Sequence, residues 1–301
     1  MSMDNGQPAA LPATSQLLSS INRWERLYDL LFRCLLWGFG CLGFLLPAAI
    51  VGFLVVGGGS TLTWQFLSDF PKGVPLGSIG GIWPAIQGSF SLAVLGLCIA
   101  TPLAFGGGIY LAEFGRHSRF SQIIRFAIEC LVAVPSVIYG LFGYAFLVVF
   151  FKFGISLLAG GITLAMIMFP IMVIAVQESL QRVDDSYREA ALALGVTTTY
   201  LVQRVLMPRA WPGIVAGMVL AVGHAVGSAA PVLFTASVFF SKGNPKYDEP
   251  VMTLPTHLYY LVSEGISQEQ AFGTALVLVI GFLIFNLSAL MLRKLGNFSW
   301  R

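Results

Sequence analysis

Six stretches of this chain are each long and apolar enough to cross a lipid bilayer, and nothing else in the sequence constrains its fold as strongly. A helix needs about 20 apolar residues to span the hydrocarbon layer. Such runs lie at about residues 30–56, 84–112, 126–151, 155–178, 211–238 and 271–292. The hydrocarbon offers no water to satisfy backbone N–H and C=O groups, so each run is expected to be helical. The expected fold class is all-α: a polytopic membrane protein with six transmembrane helices. Of the 301 residues 56% are hydrophobic and only 10% charged. With a mean hydropathy of +0.81, the chain is too apolar for a protein whose whole exterior meets water.

The basic residues set the expected orientation. Arg23, Arg26 and Arg33 flank the first run, Arg116, Arg119 and Arg125 lie after the second, and Arg182, Arg188, Arg204 and Arg209 lie after the fourth. Arg293, Lys294 and Arg301 follow the sixth, which leaves only Lys72, Lys152, Lys242 and Lys246 for the other side. Positive charge is retained on the cytoplasmic side. Residues 1–29, the insert at 185–208 and the tail at 293–301 are therefore expected in the cytoplasm of a multi-pass membrane protein. Met1 to about Ser20 is polar, without a basic and apolar leader pattern, and reads as a mobile tail rather than a cleaved peptide. The basic residues are scattered, not gathered into a stripe with aromatics, which argues against nucleic acid as a partner.

Several residues read as architecture. Cys34, Cys41, Cys98 and Cys130 lie in or beside apolar runs without metal or redox spacing, so they are expected to pack as small apolar side chains. Gly213 and Gly217, then Gly223 and Gly227, have the spacing that lets helices approach closely. Arg125 with Glu129, and Glu113 with Arg116, are expected to form local ion pairs, the first at i, i+4. His117 is expected in an inner loop and His257 in an outer one. The connections Gly57 to Trp83 and about Phe239 to Gln270 are long enough to cap the outer mouth. No catalytic triad, carboxylate pair or metal cluster is legible, so neither an enzyme activity nor a metal or other cofactor is expected.

The polar insert between the fourth and fifth runs carries more information. Ser186-Tyr187-Arg188-Glu189 fits a capping box that starts a helix, and Gly195 fits its end. Thr197 or Thr198 fits the cap of a second short helix running to Met207 and ended by Pro208. Ala190, Ala191 and Ala193 give the first helix small side chains that let another surface approach. Glu189-Ala190-Ala191, then Gly195, then Val205-Leu206-Met207-Pro208 after nine residues resembles the signature of ABC importer permeases. That resemblance implies the type I ABC importer fold, with coupling helices that dock on two cytosolic ATPase subunits. Glu189, Ala190, Ala191, Gly195 and Pro208 are the implied coupling residues. The chain has no Gly-Lys pair, hence no phosphate-cradling loop of its own.

Four further segments resemble the PstA-type permease subunits of phosphate importers. They are Gly108 to Arg116, Val134 to Leu141, Ala230 to Ala236 and Met252 to Pro255, in order across about residues 84–292. The resemblance implies a second homologous permease in a heterodimer and an extracytoplasmic phosphate-binding protein. One position departs from the family. Its Arg-x-x-Gly-Glu-Thr-Ala-Pro pattern is replaced by His224-Ala225-Val226-Gly227-Ser228-Ala229-Ala230-Pro231. A fixed guanidinium would favour an anion at depth, and here it is absent. His224, Gly227 and Ser228 are candidates for the substrate path, with a core histidine as the other reading of His224. The gate is then less charged, or the partner permease carries the charges, or the cargo is another oxyanion such as molybdate or sulfate. A secondary carrier is the remaining transport alternative, but the chain lacks the intramembrane carboxylates that ion coupling commonly uses.

Overall fold

The computed structural model describes residues 23–116, 118–241 and 245–298, and His117 lies outside them. The chain divides into two compact units, one ending at Phe53 and one running from Leu54. Helix α1 (Arg23–Gly58) exposes large apolar side chains along its length, among them Phe32, Trp37, Phe44 and Phe53. That surface suits lipid, not water.

In the second unit, a short helix α2 (Trp64–Ser68) and a two-stranded antiparallel hairpin of β1 (Pro71–Lys72) and β2 (Ile79–Gly80) precede the long helices. Helix α3 (Trp83–Ile109) continues through a π turn at Tyr110–Phe114. Helix α6 (Leu157–Gln181) is the most buried of the long helices, and Ser156 caps its start by accepting from Ala159 N–H at 3.2 Å. Close approach to α6 depends on glycine. A Cβ on Gly108 of α3 would lie 2.6 Å from Val176, and one on Gly217 of α9 (Met207–Val226) would lie 2.1 Å from Ala175. Of the expected small-residue positions, Gly213 and Gly217 thus pack on α6, whereas Gly223 and Gly227 lie beside Phe282. Leu92, Leu164, Met168, Met172 and Val173 fill the core there.

The third apolar run is not one straight helix. It folds as α4 (Arg119–Ala133) and α5 (Ser136–Gly143), and α5 extends through a π turn at Tyr144–Phe150. The pair is bent by 96°. Pro135 supplies no N–H and keeps Val134 out of helical geometry. The Tyr139 hydroxyl then donates to the Leu131 carbonyl across the bend at 2.9 Å. Among the described residues, five single helices and this bent pair are long and apolar enough to cross a membrane.

The fifth span also departs from expectation. It starts at Thr198, as α8 (Thr198–Tyr200), a π turn at Leu201–Leu206 and α9 in one continuous 29-residue helix. Pro208 therefore opens α9 rather than ending a short helix. Leu206 and Met207 stay helical, so Pro208 sits inside the span, at the junction where the i→i+5 bonds of the π turn give way to α9. The far end stops early, at Val226, and the chain breaks at Gly227 and Ser228 before α10 (Ala229–Thr235). Helix α11 (Leu254–Ser263) opens with a Thr253/Thr256 capping box and packs on α12 (Gln268–Phe298). His257 lies on α11 and is 2% exposed, so it is a buried residue, not a solvated loop one. The four cysteines are exposed on helix surfaces and do not fill the core.

Candidate functional site

The insert folds as α7 (Ser186–Ala193) followed by a tight turn into α8. Its start differs from the expected capping box. The Asp184 carboxylate accepts from the Ser186 N–H at 2.8 Å, a bond that holds the Asp184 carboxyl below its ordinary range. The neighbouring Asp185 occupies the cap position in helical geometry, and its carbonyl takes the Glu189 N–H. Glu189 is thus left exposed, with no reciprocal bond to the cap. The helix end matches expectation. Gly195 has φ +67°, Gly195 N–H donates to the Leu192 carbonyl and Val196 N–H to the Ala191 carbonyl, the double bond of a left-handed helix stop. Thr197 then caps α8 by accepting from Tyr200 N–H at 3.3 Å.

One face of α7 turns inward. Ala191 packs with Ala112, Val176, Leu180, Leu201, Val202 and Leu206 in a buried cluster under the insert. Ala191 is therefore part of the protein's own core and does not present itself to a partner. The opposite face carries exposed Glu189, Ala190 and Ala193 together with Leu192, 74% exposed, and Leu194, 82% exposed. Tyr187 stacks under the Arg209 guanidinium, 4.1 Å from the ring centre. Of the expected coupling residues, Glu189 and Ala190 thus share an outward face. Gly195 shapes the turn, and Pro208 sits in the first turn of α9.

Arg188 was not among the expected site residues, yet it makes the densest contacts of the insert. Its Nε donates to both Glu113 carboxylate oxygens at 3.2 Å, and Nη2 donates to Glu113 at 2.6 Å and to the Leu180 carbonyl at 2.9 Å. Nη1 donates to the Val183 carbonyl at 2.8 Å and to Asp185 at 2.9 Å. Glu113 holds the guanidinium firmly protonated. Arg116 pairs with Asp185, and this keeps the Asp185 carboxyl low. The expected Glu113–Arg116 pair is thus replaced by two longer-range pairs. Arg125 likewise lies against the Gln177 amide, whose oxygen accepts from it once the amide is assigned in the orientation the guanidinium requires. The two ion pairs join residues 69 and 75 positions apart in the chain, beyond the reach of helical spacing.

The path candidates lie where α9 ends. His224 and Gly227 are exposed and Ser228 is half-buried. The Ser228 hydroxyl donates to the His224 carbonyl at 2.9 Å. It braces the helix break and does not extend a side-chain row along one helix. Val222 and Val226, on another face of α9, line an almost wholly apolar cavity of about 280 Å³ with residues of α3, α11 and α12. His224 points away from that cavity, onto a face of α9 that leaves it open.

Residues 104–297 match the family model described as "binding-protein-dependent transport system inner membrane component". The chain is 32% identical over 281 residues to the probable ABC transporter permease protein YqgI of Bacillus subtilis, covering 87% of this chain and 94% of that one. It is 32% identical over 253 residues to the phosphate transport system permease protein PstA 2 of Mycobacterium bovis, covering 79% and 83%. Its fold is similar to a chain of a bacterial alginate ABC transporter in complex with an alginate-bound periplasmic protein. There the TM-score is 0.61 at 16% identity, over 93% of this chain and 98% of that one.

Proposed function

This chain belongs to the binding-protein-dependent transport system inner membrane components, as a PstA-type ABC permease, and we propose that its cargo is inorganic phosphate. It is a multi-pass inner-membrane transport subunit, not an enzyme, and works with ATPase and binding-protein partners. In the proposed arrangement both termini and the 185–208 insert face the cytoplasm. A second, homologous permease completes the path as a heterodimer, two ATPase subunits receive the inserts, and a phosphate-binding protein delivers cargo at the opposite mouth.

The observation that carries the coupling reading is the outward face of α7. Leucines exposed at 74% and 82% on a short polar insert are costly in water and useful against a partner. Exposed Ala190 and Ala193 beside them let that partner come close. Glu189 adds a charge that fixes orientation. The test is Glu189→Lys in the assembled complex. The ATPase subunits should co-purify poorly or lose stimulation by loaded binding protein while the permease still inserts. Transport that survives the reversal removes the docking role.

Phosphate as cargo is supported by the relatives named for phosphate transport. His224, Gly227 and Ser228 lie at the break in α9, on the face proposed to meet the second permease. Closure of the ATPases would move the inserts and rock the helices so that this face opens to one side and then the other. A second reading, molybdate or sulfate, is favoured by the absence of a permanently charged side chain at positions 224 and 228. Competition of unlabelled molybdate and sulfate with labelled phosphate for ATP-driven uptake separates the two. A His224→Ala variant that transports normally at every pH removes that residue from the path.

A further inference from the structure

A buried ion pair joins the insert to the end of α3. Arg188 and Glu113 side chains are only 10% and 5% exposed. A guanidinium has five N–H donors, and here every one meets an acceptor. These come from Glu113 at the end of α3, Leu180 in the last turn of α6, Val183 in the linker, and Asp185 at the cap of α7. One side chain on the insert therefore grips the ends of both α3 and α6. The grip on α3 is charged, bidentate and directional, whereas the apolar cluster beneath it specifies no orientation.

Burial of an ion pair is weak grounds for a role in stability, because a well-packed apolar pair often serves equally well. What the pair adds is geometric registry. Glu113 lies in the π turn that ends α3, where one extra residue per turn alters the direction of the helix end. Earlier on the same helix, from Leu97 at roughly 24 Å to Phe90 at roughly 35 Å by helical rise, Leu97, Val94, Ala93 and Phe90 line the apolar cavity shared with Val222 and Phe282. Between the two ends, Gly108 seats α3 directly on Val176 of α6. Displacement of α7 has a stiff route into the helices around the cavity, and the route begins at this pair.

We propose that Arg188 and Glu113 are the positioning pair that carries movement of the insert into α3, so that ATPase closure reaches the transmembrane path. The proposal rests on the reading of 185–208 as the docking insert, and its test keeps the two apart. Three variants, Arg188→Lys, Glu113→Gln and Glu189→Lys, are compared in complexes assembled with the ATPases, the second permease and the binding protein in proteoliposomes. Bound ATPase, ATP hydrolysis with and without loaded binding protein, and uptake of labelled phosphate are each normalised to assembled complex.

Lys is a single point charge and cannot fill the fork, and Gln keeps the shape of Glu without its charge. Both variants should retain ATPase subunits and unstimulated hydrolysis. Stimulation by loaded binding protein and uptake per ATP hydrolysed should fall about tenfold or more, as expected for misplaced machinery. Wild-type coupling in both variants overturns the proposal, and so does a loss of uptake that only tracks loss of assembled complex. The docking reading fails separately, if Glu189→Lys retains ATPase and uptake.

Discussion

His257 is 2% exposed, and its Nδ1 meets no hydrogen-bond partner. Burial makes the charged imidazole costly and lowers its pKa from 6.5 to about 4. The sign follows from the unfolded chain binding the proton more readily than the folded one. Stability from the neutral ring is complete above pH 6.5 and is lost as pH falls towards 4, by roughly 3 kcal/mol at the low end. Thermal unfolding of purified protein should show a midpoint that drops across that window, and His257→Leu should flatten the drop relative to wild type. Steric contact makes a second residue equally testable. A methyl group on Gly217 would meet the Ala175 methyl at 2.1 Å, so Gly217→Ala should destabilise by about 1–3 kcal/mol. Adding Ala175→Gly should restore most of the loss in the same melting measurement. The sequence marked Gly217 through its spacing, but His257 looked like a loop histidine because hydropathy does not register a short helix folded back between spans.

At the scale of elements, the insert helix owes its end to Gly195. Its φ of +67° favours glycine, and nothing lies within 4 Å of where a Cβ would stand. A valine there therefore acts through backbone strain alone, of about 1–2 kcal/mol. Gly195→Val should raise amide exchange across residues 190–196 about tenfold, whereas Gly195→Asn should change it little, and exchange followed by mass spectrometry reads both. Element boundaries were legible where a local rule governs, as at Gly195 and Thr197. They were misread where two rules compete. Pro135 splits an apolar run that hydropathy alone treats as continuous. Pro208 looked like a stop but lies inside a continuous helix, at the junction between the π turn and α9. Arg188 escaped sequence reasoning because its partner Glu113 lies 75 residues away and only the folded chain brings them together.

For the whole molecule, apolar runs and the insert signature were enough to reach the class, since a bilayer leaves few ways to satisfy a backbone and the insert is too polar to enter it. The division of labour at the insert was less visible. Ala191 faces the protein's own core, Glu189 faces outward, and Arg188 joins the two sides. In the proposed function this chain moves phosphate only when cytosolic ATPases act on that insert. ATP-driven uptake of labelled phosphate into proteoliposomes tests it most directly, with the permease pair, ATPase and loaded binding protein present. The account predicts uptake that needs ATP, disappears with Glu189→Lys and resists excess molybdate or sulfate. Uptake that continues without the ATPase, or that survives Glu189→Lys, would contradict it.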